Sequence, residues 1–447
     1  MAMRTRVGLS VAYPNAAGID IGASSHFVAV PSDRDEQPVR EFSSFTDDLN
    51  AIADWLTACG IDTIAMESTS VYWIPLYELL ESRGFKVFLV NARHVKNVCG
   101  RKSDVLDCQW LQQLMSYGLL AGAYRPNGSI CALRSIVRQA DRLVSRQAEH
   151  IQHMHKAMAE MNIQLGHVIS DITGKTGMLI IRAILDGERD RSKLAGYRDR
   201  RIRASVEEIE RSLEGNYREE HVFALHQAVE LYDAYQLRIN ECEQRITDML
   251  GRMERHQGIP NDRKSSHSRK ANDNSQTLRG GLYRLCGVDL TSIDGISVKT
   301  ALKLLAEIGL DLSQFKSAKH FCSWLGLCPG TKISGGKVLS GKSKRTNNRA
   351  AQALKMAAIS LKNSRTSLGA FFRRMSARMD RSKAITAVAH KMARIVYALL
   401  TTGQDYVDAG QDYYEERYKE RVLRGLQRKA REMGFELSPI QEGVMAQ

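Results

Sequence analysis

The chain has 447 residues, enough for two or three domains with their own cores, and 43% hydrophobic content with eight prolines excludes wholesale disorder. Arg4 and Arg6 precede no apolar leader, and the best apolar run, "GMLIIRAIL" at 177–185, is short and interrupted by Arg182, so neither a signal peptide nor a membrane span is expected. The net charge is +14, and it is localised: between Asp311 and Asp380 stand 14 Lys and Arg residues and no acid. A stretch of one sign repels itself unless something anionic lies against it, which points to nucleic acid, with a solvated face as the plain alternative.

Residues 15–122 read as α/β. "GIDIGASSHFVAVPS" predicts two strands and "PVREFSSF" a third, followed by a helix over "TDDLNAIADWLTACG" with Thr46 as its cap. Then come a buried strand "IDTIAMES", a helix "VYWIPLYELLESRG", a strand "FKVFLVNA" and a last helix beginning near Ser103. Three strands followed by alternating helix and strand is the order of a ribonuclease-H-like (RuvC-like) domain, and also of the actin-like ATPases.

Residues 130–257 read as long paired helices, a coiled-coil region expected to pair between molecules as a dimerising middle. Leu133, Ile136, Val137, Leu143, Val144 and Ile151 form one stripe; Leu225, Val229, Tyr232, Ile239, Ile246 and Leu250 form another. His150, His153 and His155 do not share a helix face, which makes a wet surface the better reading than a metal site. Residues 258–281 are polar, basic and aperiodic, a basic linker. Residues 282–402 form a mainly α domain in which "LTSIDGISVKTALKLLAEIG" resembles a helix-hairpin-helix element around Gly295, and 403–447 is a charged helical tail. The eight cysteines are scattered without C-x-x-C pairs, which suits a reducing, cytoplasmic compartment.

Four carboxylates stand out. Asp20 lies between two isoleucines in the first strand, Glu67 ends the apolar strand "TIAME", and Asp104 and Asp107 are three apart on one helix face. In a ribonuclease-H-like sheet all four converge, and carboxylates so close need a cation, Mg²⁺ or Mn²⁺. Singly, each has a structural explanation: a helix cap for Asp104, a surface charge for Asp107, a buried partner for Glu67.

"GIDIGASSHFVAV", "AMESTSVYW" and "RKSDVLDCQWLQQLMSYGLL" resemble the Asp-Glu-Asp-Asp domain of the insertion-sequence-110 family of transposases, which includes the pilin-gene invertase. "SIDGISVKTALKLLAEIGLDLSQFKSAKHFCSWLGLCPG", "SGGKVLSGKSKRTNNRAAQALKMAA" and "KAITAVAHKMARIVYALL" resemble that family's C-terminal serine transposase domain. The resemblance spans most of residues 15–402. It implies a bacterial DNA recombinase in which Asp20, Glu67, Asp104 and Asp107 hold metal and Ser334 is the nucleophile, forming a phosphoserine link to DNA. It further implies double-stranded DNA partners (element ends and target), a noncoding guide RNA, and a homodimer or homotetramer that meets DNA at the nucleoid. Many relatives carry a second hydroxyl residue where this chain has Ile333; Ser340 and Ser343 are the alternative hydroxyls.

On that reading the stretch "TKISGGKVLSGKSKR" becomes intelligible: Gly335 and Gly336 admit a phosphate close to the backbone. Lys332, Lys337, Lys342, Lys344, Arg345 and Arg349 neutralise it. A resolvase that uses only the four acids and water, or a DNA-binding protein with structural acids, remains an alternative.

Overall fold

The computed structural model describes residues 10–68, 70–90, 104–260, 273–343, 345–404, 406–408 and 410–438. They divide into two units, residues 1–125 and 126–447.

The first unit is built on a mixed five-stranded sheet of order β3-β2-β1-β4-β5. Strands β1 (Ala16–Ile21), β2 (Ser25–Ala29) and β3 (Val39–Ser43) form an antiparallel meander. Strand β4 (Thr63–Glu67) runs parallel to β1 on its other side, and β5 (Lys86–Val90) parallel to β4. Parallel neighbours require crossovers, which the helices α1 (Thr46–Ala58) and α2 (Trp73–Ser82) supply. Thr46 is not the cap of α1: Phe45 precedes the helix, and the Ser43 hydroxyl holds its start by accepting from the Phe45 amide and donating to Asp48.

Side chains alternate across the sheet. Ile19, Ile21, Val28, Ile64 and Met66 meet Ile52, Leu56, Leu76 and Leu80 of α1 and α2. On the other face Ala16, Ala65 and Val90 meet Leu111 and Met115 of helix α3 (Asp104–Ser116). The small residues on that face let α3 lie close to the sheet.

The second unit pairs two long helices, α4 (Gly128–Glu160) and α9 (Glu219–Arg252), within one chain rather than between molecules as expected. Leu225, Val229, Ile239, Ile246 and Leu250 are buried as their period requires. On α4 the stripe is less regular: Leu133 and Val137 are buried, but Val144 is exposed. The buried Gln147 takes up the seam there, donating to the Tyr232 carbonyl and to Gln236. Four short helices, α5 (Leu165–Val168), α6 (Lys175–Leu185), α7 (Arg191–Ala195) and α8 (Val206–Ser212), close one end around Met158, Ile180, Ile184 and Leu213. His150 stacks on Tyr235 of α9, a packing role.

Two further expectations for this unit are corrected. Helix α10 (Asp273–Cys286) occupies the last part of the stretch read as a linker over 258–281. Gly280 and Gly281 suggest a linker in sequence, but both are buried, and an added Cβ on Gly281 would stand 3.4 Å from Leu250. Gly281 lets α10 approach α9, and Arg284 pairs with Glu254 beside it. The helix-hairpin-helix resemblance also gives way. Residues Leu290–Ser292 are a single 3₁₀ turn, and an added Cβ on Gly295 (φ +84°) would stand 2.7 Å from the Ala357 carbonyl. The turn is packed against the chain's own helix, not opened toward a phosphate.

After it come α11 (Val298–Ile308), capped by the Ser297 side chain, and α12 (Ala318–Trp324). A hairpin of β6 (Lys332–Ser334) and β7 (Lys337–Ser340) leads to α13 (Arg349–Ser360), α14 (Ser367–Ser376), α15 (Arg381–Thr402) and α16 (Gly410–Glu432). Helix α15, not 177–185, is the described helix that is long and apolar enough to cross a membrane by length and composition. In this fold it is a core helix, burying Ala384, Val388, Met392, Val396 and Leu399. The long helices are tied to this part by Arg134, which donates to the carbonyls of Ala306 and Glu307 at the end of α11. Arg138 adds a bidentate pair with Glu307 at 2.7 Å.

Asp294 carries a measurable consequence. Its Oδ2 is shut off from solvent without a hydrogen-bond partner, and burial, then the charge of Asp408, push its carboxyl up to about 6. Between the ordinary value of 3.8 and about 6, the folded chain keeps a proton that the unfolded chain has released. Asp294 therefore disfavours folding progressively as pH rises through that window. Thermal unfolding should show Asp294→Asn gaining on the wild type from pH 4 to pH 7; a constant difference would mean the carboxylate is not strained.

Candidate functional site

Asp20 sits near the end of the central strand β1. The parallel register pairs Ile19 with Met66, so one step further Asp20 comes level with Glu67 at the end of β4. Both point to the face covered by α3. That face is possible because residue 18 is glycine: an added Cβ would stand 2.3 Å from the Cys108 carbonyl oxygen and 2.3 Å from the Gln112 amide. These are backbone atoms and cannot give way. Helix backbone therefore lies directly on strand backbone, and the first turns of α3 stand beside Asp20.

The result is a cluster of carboxylates. Ligand atoms of Asp20, Asp104 and Asp107 all lie within 4.8 Å of one another, with Asp104 exposed and the other two half-buried. Glu67 adjoins them without joining that mutual set; among neighbouring charges it acts most strongly on Asp20. Burial first, then Glu67, Asp104 and Asp107, push Asp20 up to about 6. Hard oxygen donors converging in this way fit a divalent cation such as Mg²⁺ or Mn²⁺, whose charge would relieve the repulsion. Cys108, next in the chain, is no competitor as a ligand: its buried thiol is pushed up to about 12, chiefly by desolvation.

Ser334 belongs to the second unit. It ends β6, opposite Lys337 of β7, with Ile333 opposite Val338. Gly335 and Gly336 have φ of +54° and +74°, both in the left-handed region, the pattern of a two-residue type I′ turn. Added Cβ atoms would meet nothing within 4 Å, so conformation, not crowding, calls for glycine here. The ribbon is continued by the Gly330 amide bonding to the Lys342 carbonyl and a bridge between Pro329 and Ser343. Ser334, Lys332, Lys337, Lys342 and Arg345 are all exposed along it, while Lys344 lies outside the described residues. Among the described residues no side chain hydrogen-bonds to the Ser334 hydroxyl. Arg349 opens α13 and lines a 280 Å³ cavity with Lys299 and Lys303, near Arg138 and Glu307.

Sequence reading found the acids and missed Gly18. A glycine inside an apolar strand is itself a sign of close backbone approach, and that signal was available.

Two family models match the chain: one described as "Transposase", of the Asp-Glu-Asp-Asp IS110 type, over residues 17–163, and one described as "Transposase IS116/IS110/IS902 family" over 289–373. Together they cover just over half of it. The chain belongs to the IS110 family of transposases. It is 31% identical over 119 residues to the "Insertion element IS110 uncharacterized 43.6 kDa protein" of Streptomyces coelicolor, covering 26% of this chain and 29% of that protein. It is 34% identical over 120 residues to the "Transposase for insertion sequence element IS1111A" of Coxiella burnetii, covering 26% and 33%. The chain thus spans about a third of the length of the curated relatives it matches. The acid cluster falls inside the first family match and Ser334 inside the second.

Two substitutions probe this geometry. Saturating Mg²⁺ should raise the wild-type melting temperature by roughly 2–4 °C, as any ligand selective for the folded state does. Gly18→Ala should abolish that rise by forcing α3 off the strand, with helical circular dichroism largely kept; an unchanged Mg²⁺ response would refute the contact's role. Gly336→Val should cost about 1–2 kcal/mol locally at the turn and displace Ser334 while leaving the Mg²⁺ response intact, read by the same melts.

Proposed function

We propose that the protein is a DNA transposase that cuts and rejoins strands through a phosphoserine intermediate, with the first unit as a ribonuclease-H-like metal-binding domain. The observation that carries this reading is the convergence of Asp20, Asp104 and Asp107 in a family match of the Asp-Glu-Asp-Asp type. Asp20, Asp104 and Asp107 hold Mg²⁺ or Mn²⁺, and Glu67 adds charge beside them. A cation bound there supplies Lewis acidity toward a phosphate oxygen.

The Ser334 Oγ attacks the phosphorus of a DNA phosphodiester. An O–P bond to serine forms as the bond to one sugar oxygen breaks; the serine proton leaves and the departing sugar oxygen gains one. The bond energy is kept in the phosphoserine, so a second sugar hydroxyl can reverse the step on a new partner strand. Lys332, Lys337, Lys342, Lys344, Arg345 and Arg349 offset phosphate charge around the serine. Among the described residues no side chain hydrogen-bonds to this hydroxyl. A structured noncoding RNA from the element's end selects the DNA, and the protein works as a homodimer or homotetramer.

The test uses labelled DNA carrying an element-end junction, Mg²⁺, and RNA transcribed from that end. Wild type should retain label on protein in a denaturing gel, and Ser334→Ala and Asp104→Ala should each lose it by at least 100-fold. Cleavage that survives Ser334→Ala would move the nucleophile elsewhere: to Ser340 or Ser343 if label stays on protein, and to the metal-activated water of the resolvase reading if it does not.

A further inference from the structure

The terminal helix α16 lies outside both family matches. None of its residues is buried, yet it is firmly placed. Its first half is clamped to α14 and α15 by cations on aromatic rings: Arg374 lies 4.1 Å from the Tyr418 ring and 5.0 Å from that of Tyr414, and Lys391 lies 4.7 Å from Tyr414. Arg373 adds a 2.7 Å hydrogen bond to Gln411. Its far end is closed by a Schellman motif, with the Phe435 amide bonding to the Ala430 carbonyl and Gly434 at φ +80°.

Along this anchored rod Arg417, Arg421, Arg424, Arg428 and Arg431 recur at spacings of four, three, four and three. At 100° per residue all five fall within about 80° of arc, on one face. All are exposed. Only Arg424 and Arg428 have a carboxylate partner among the described residues, at 3.3 Å and 3.8 Å on the surface. Like charges at these spacings destabilise a helix by roughly 0.2–0.5 kcal/mol per pair. Glu420 and Glu432 flank the face and offset two of the five, while Arg417, Arg421 and Arg431 have no carboxylate partner among the described residues, which leaves a net positive face that an anion would relieve.

We infer that the arginine face of α16 is a rail for the phosphate backbone of double-stranded DNA. This rests on the DNA-transposase reading and extends its DNA footprint beyond the two catalytic regions. From Arg417 to Arg431 the helix rises about 21 Å, a length of duplex axis that carries about a dozen phosphate charges. Arginine forks match phosphate oxygens bidentately. Duplex DNA, already the substrate on the transposase reading, presents phosphates at this spacing along its axis. A second copy of the chain is disfavoured on this face, since arginine would meet arginine. The exposed Leu423, Leu426 and Met433 lie on the opposite side of the helix.

The test is fluorescence anisotropy on the full chain with a 40-base-pair DNA duplex and an RNA duplex of the same length, across 50–300 mM salt. The R421Q/R424Q/R428Q/R431Q variant should bind DNA about 10- to 100-fold more weakly at 100 mM salt. Its log–log salt slope should be smaller by about 3.6, since each phosphate contact contributes about 0.9. The R421Q/R428Q variant should lose about half as much slope, and the R421K/R424K/R428K/R431K variant should retain binding, which separates charge from folding. The L423Q/L426Q variant should leave DNA affinity unchanged. Unaltered DNA affinity and slope in the quadruple Gln variant overturn the proposal, as does an equal loss on RNA. So does a change of oligomeric state with the leucine variant while the arginine variants stay silent. A wild-type chain that binds no DNA at any salt would instead count against the transposase reading.

Discussion

The absence of a side chain at Gly18 is the constraint on which the first unit turns. Helix α3 lies so close to β1 that a single methyl group would collide with the Cys108 carbonyl and the Gln112 amide. Asp104 and Asp107 owe their place beside Asp20 to this contact. The repulsion it creates is opposed by ordinary packing, with Leu111 and Met115 of the same helix fully buried against the sheet. Apolar burial thus holds together carboxylates that would separate if left to themselves, and this produces a preformed demand for a cation. Strain at a site held by a sound core is the usual form in which a fold stores function.

The second unit handles the opposite charge. Its acid-free stretch carries many cations, but they do not all face outward to a ligand. Arg373 donates to the carbonyls of Lys362 and Ser364, where a helix ends. Arg374 is spent on aromatic rings, and burial, followed by Arg374, lowers the pKa of Lys391. Exposed positive residues remain on the serine hairpin and on α16, and also between them, among them Lys362, Arg365, Arg378 and Lys383. Charge counting therefore overstated how much of the charge faces solvent, by Lys355, Arg373 and Arg374 among the described residues.

Much of the first unit was legible because its strands and helices follow simple periods, and because four acids at strand ends and on one helix face are conspicuous. The stretch was conspicuous as a glycine pair among lysines, but the hairpin itself was not expected, and its glycines answer first to the turn. One reading failed where glycine was ambiguous: Gly295 read as an opening to phosphate but is pressed on Ala357. The linker reading failed because a polar, aperiodic stretch ends in a helix whose Gly281 packs on Leu250. A glycine marks an unusual backbone requirement without saying whether the neighbour is protein, ligand or solvent.

Sequence alone determined the element types of the first unit and of the long helices, the candidate acids and serine, and the positive balance, since these depend on local period, spacing and composition. Tertiary structure decided which acids share a site and which stands beside it, because that depends on strand register and on how closely α3 can approach β1. It also decided that the two long helices pair within one chain, and which arginines are consumed by packing. Burial and contact between residues distant in the chain are set by the whole fold, and no local pattern encodes them.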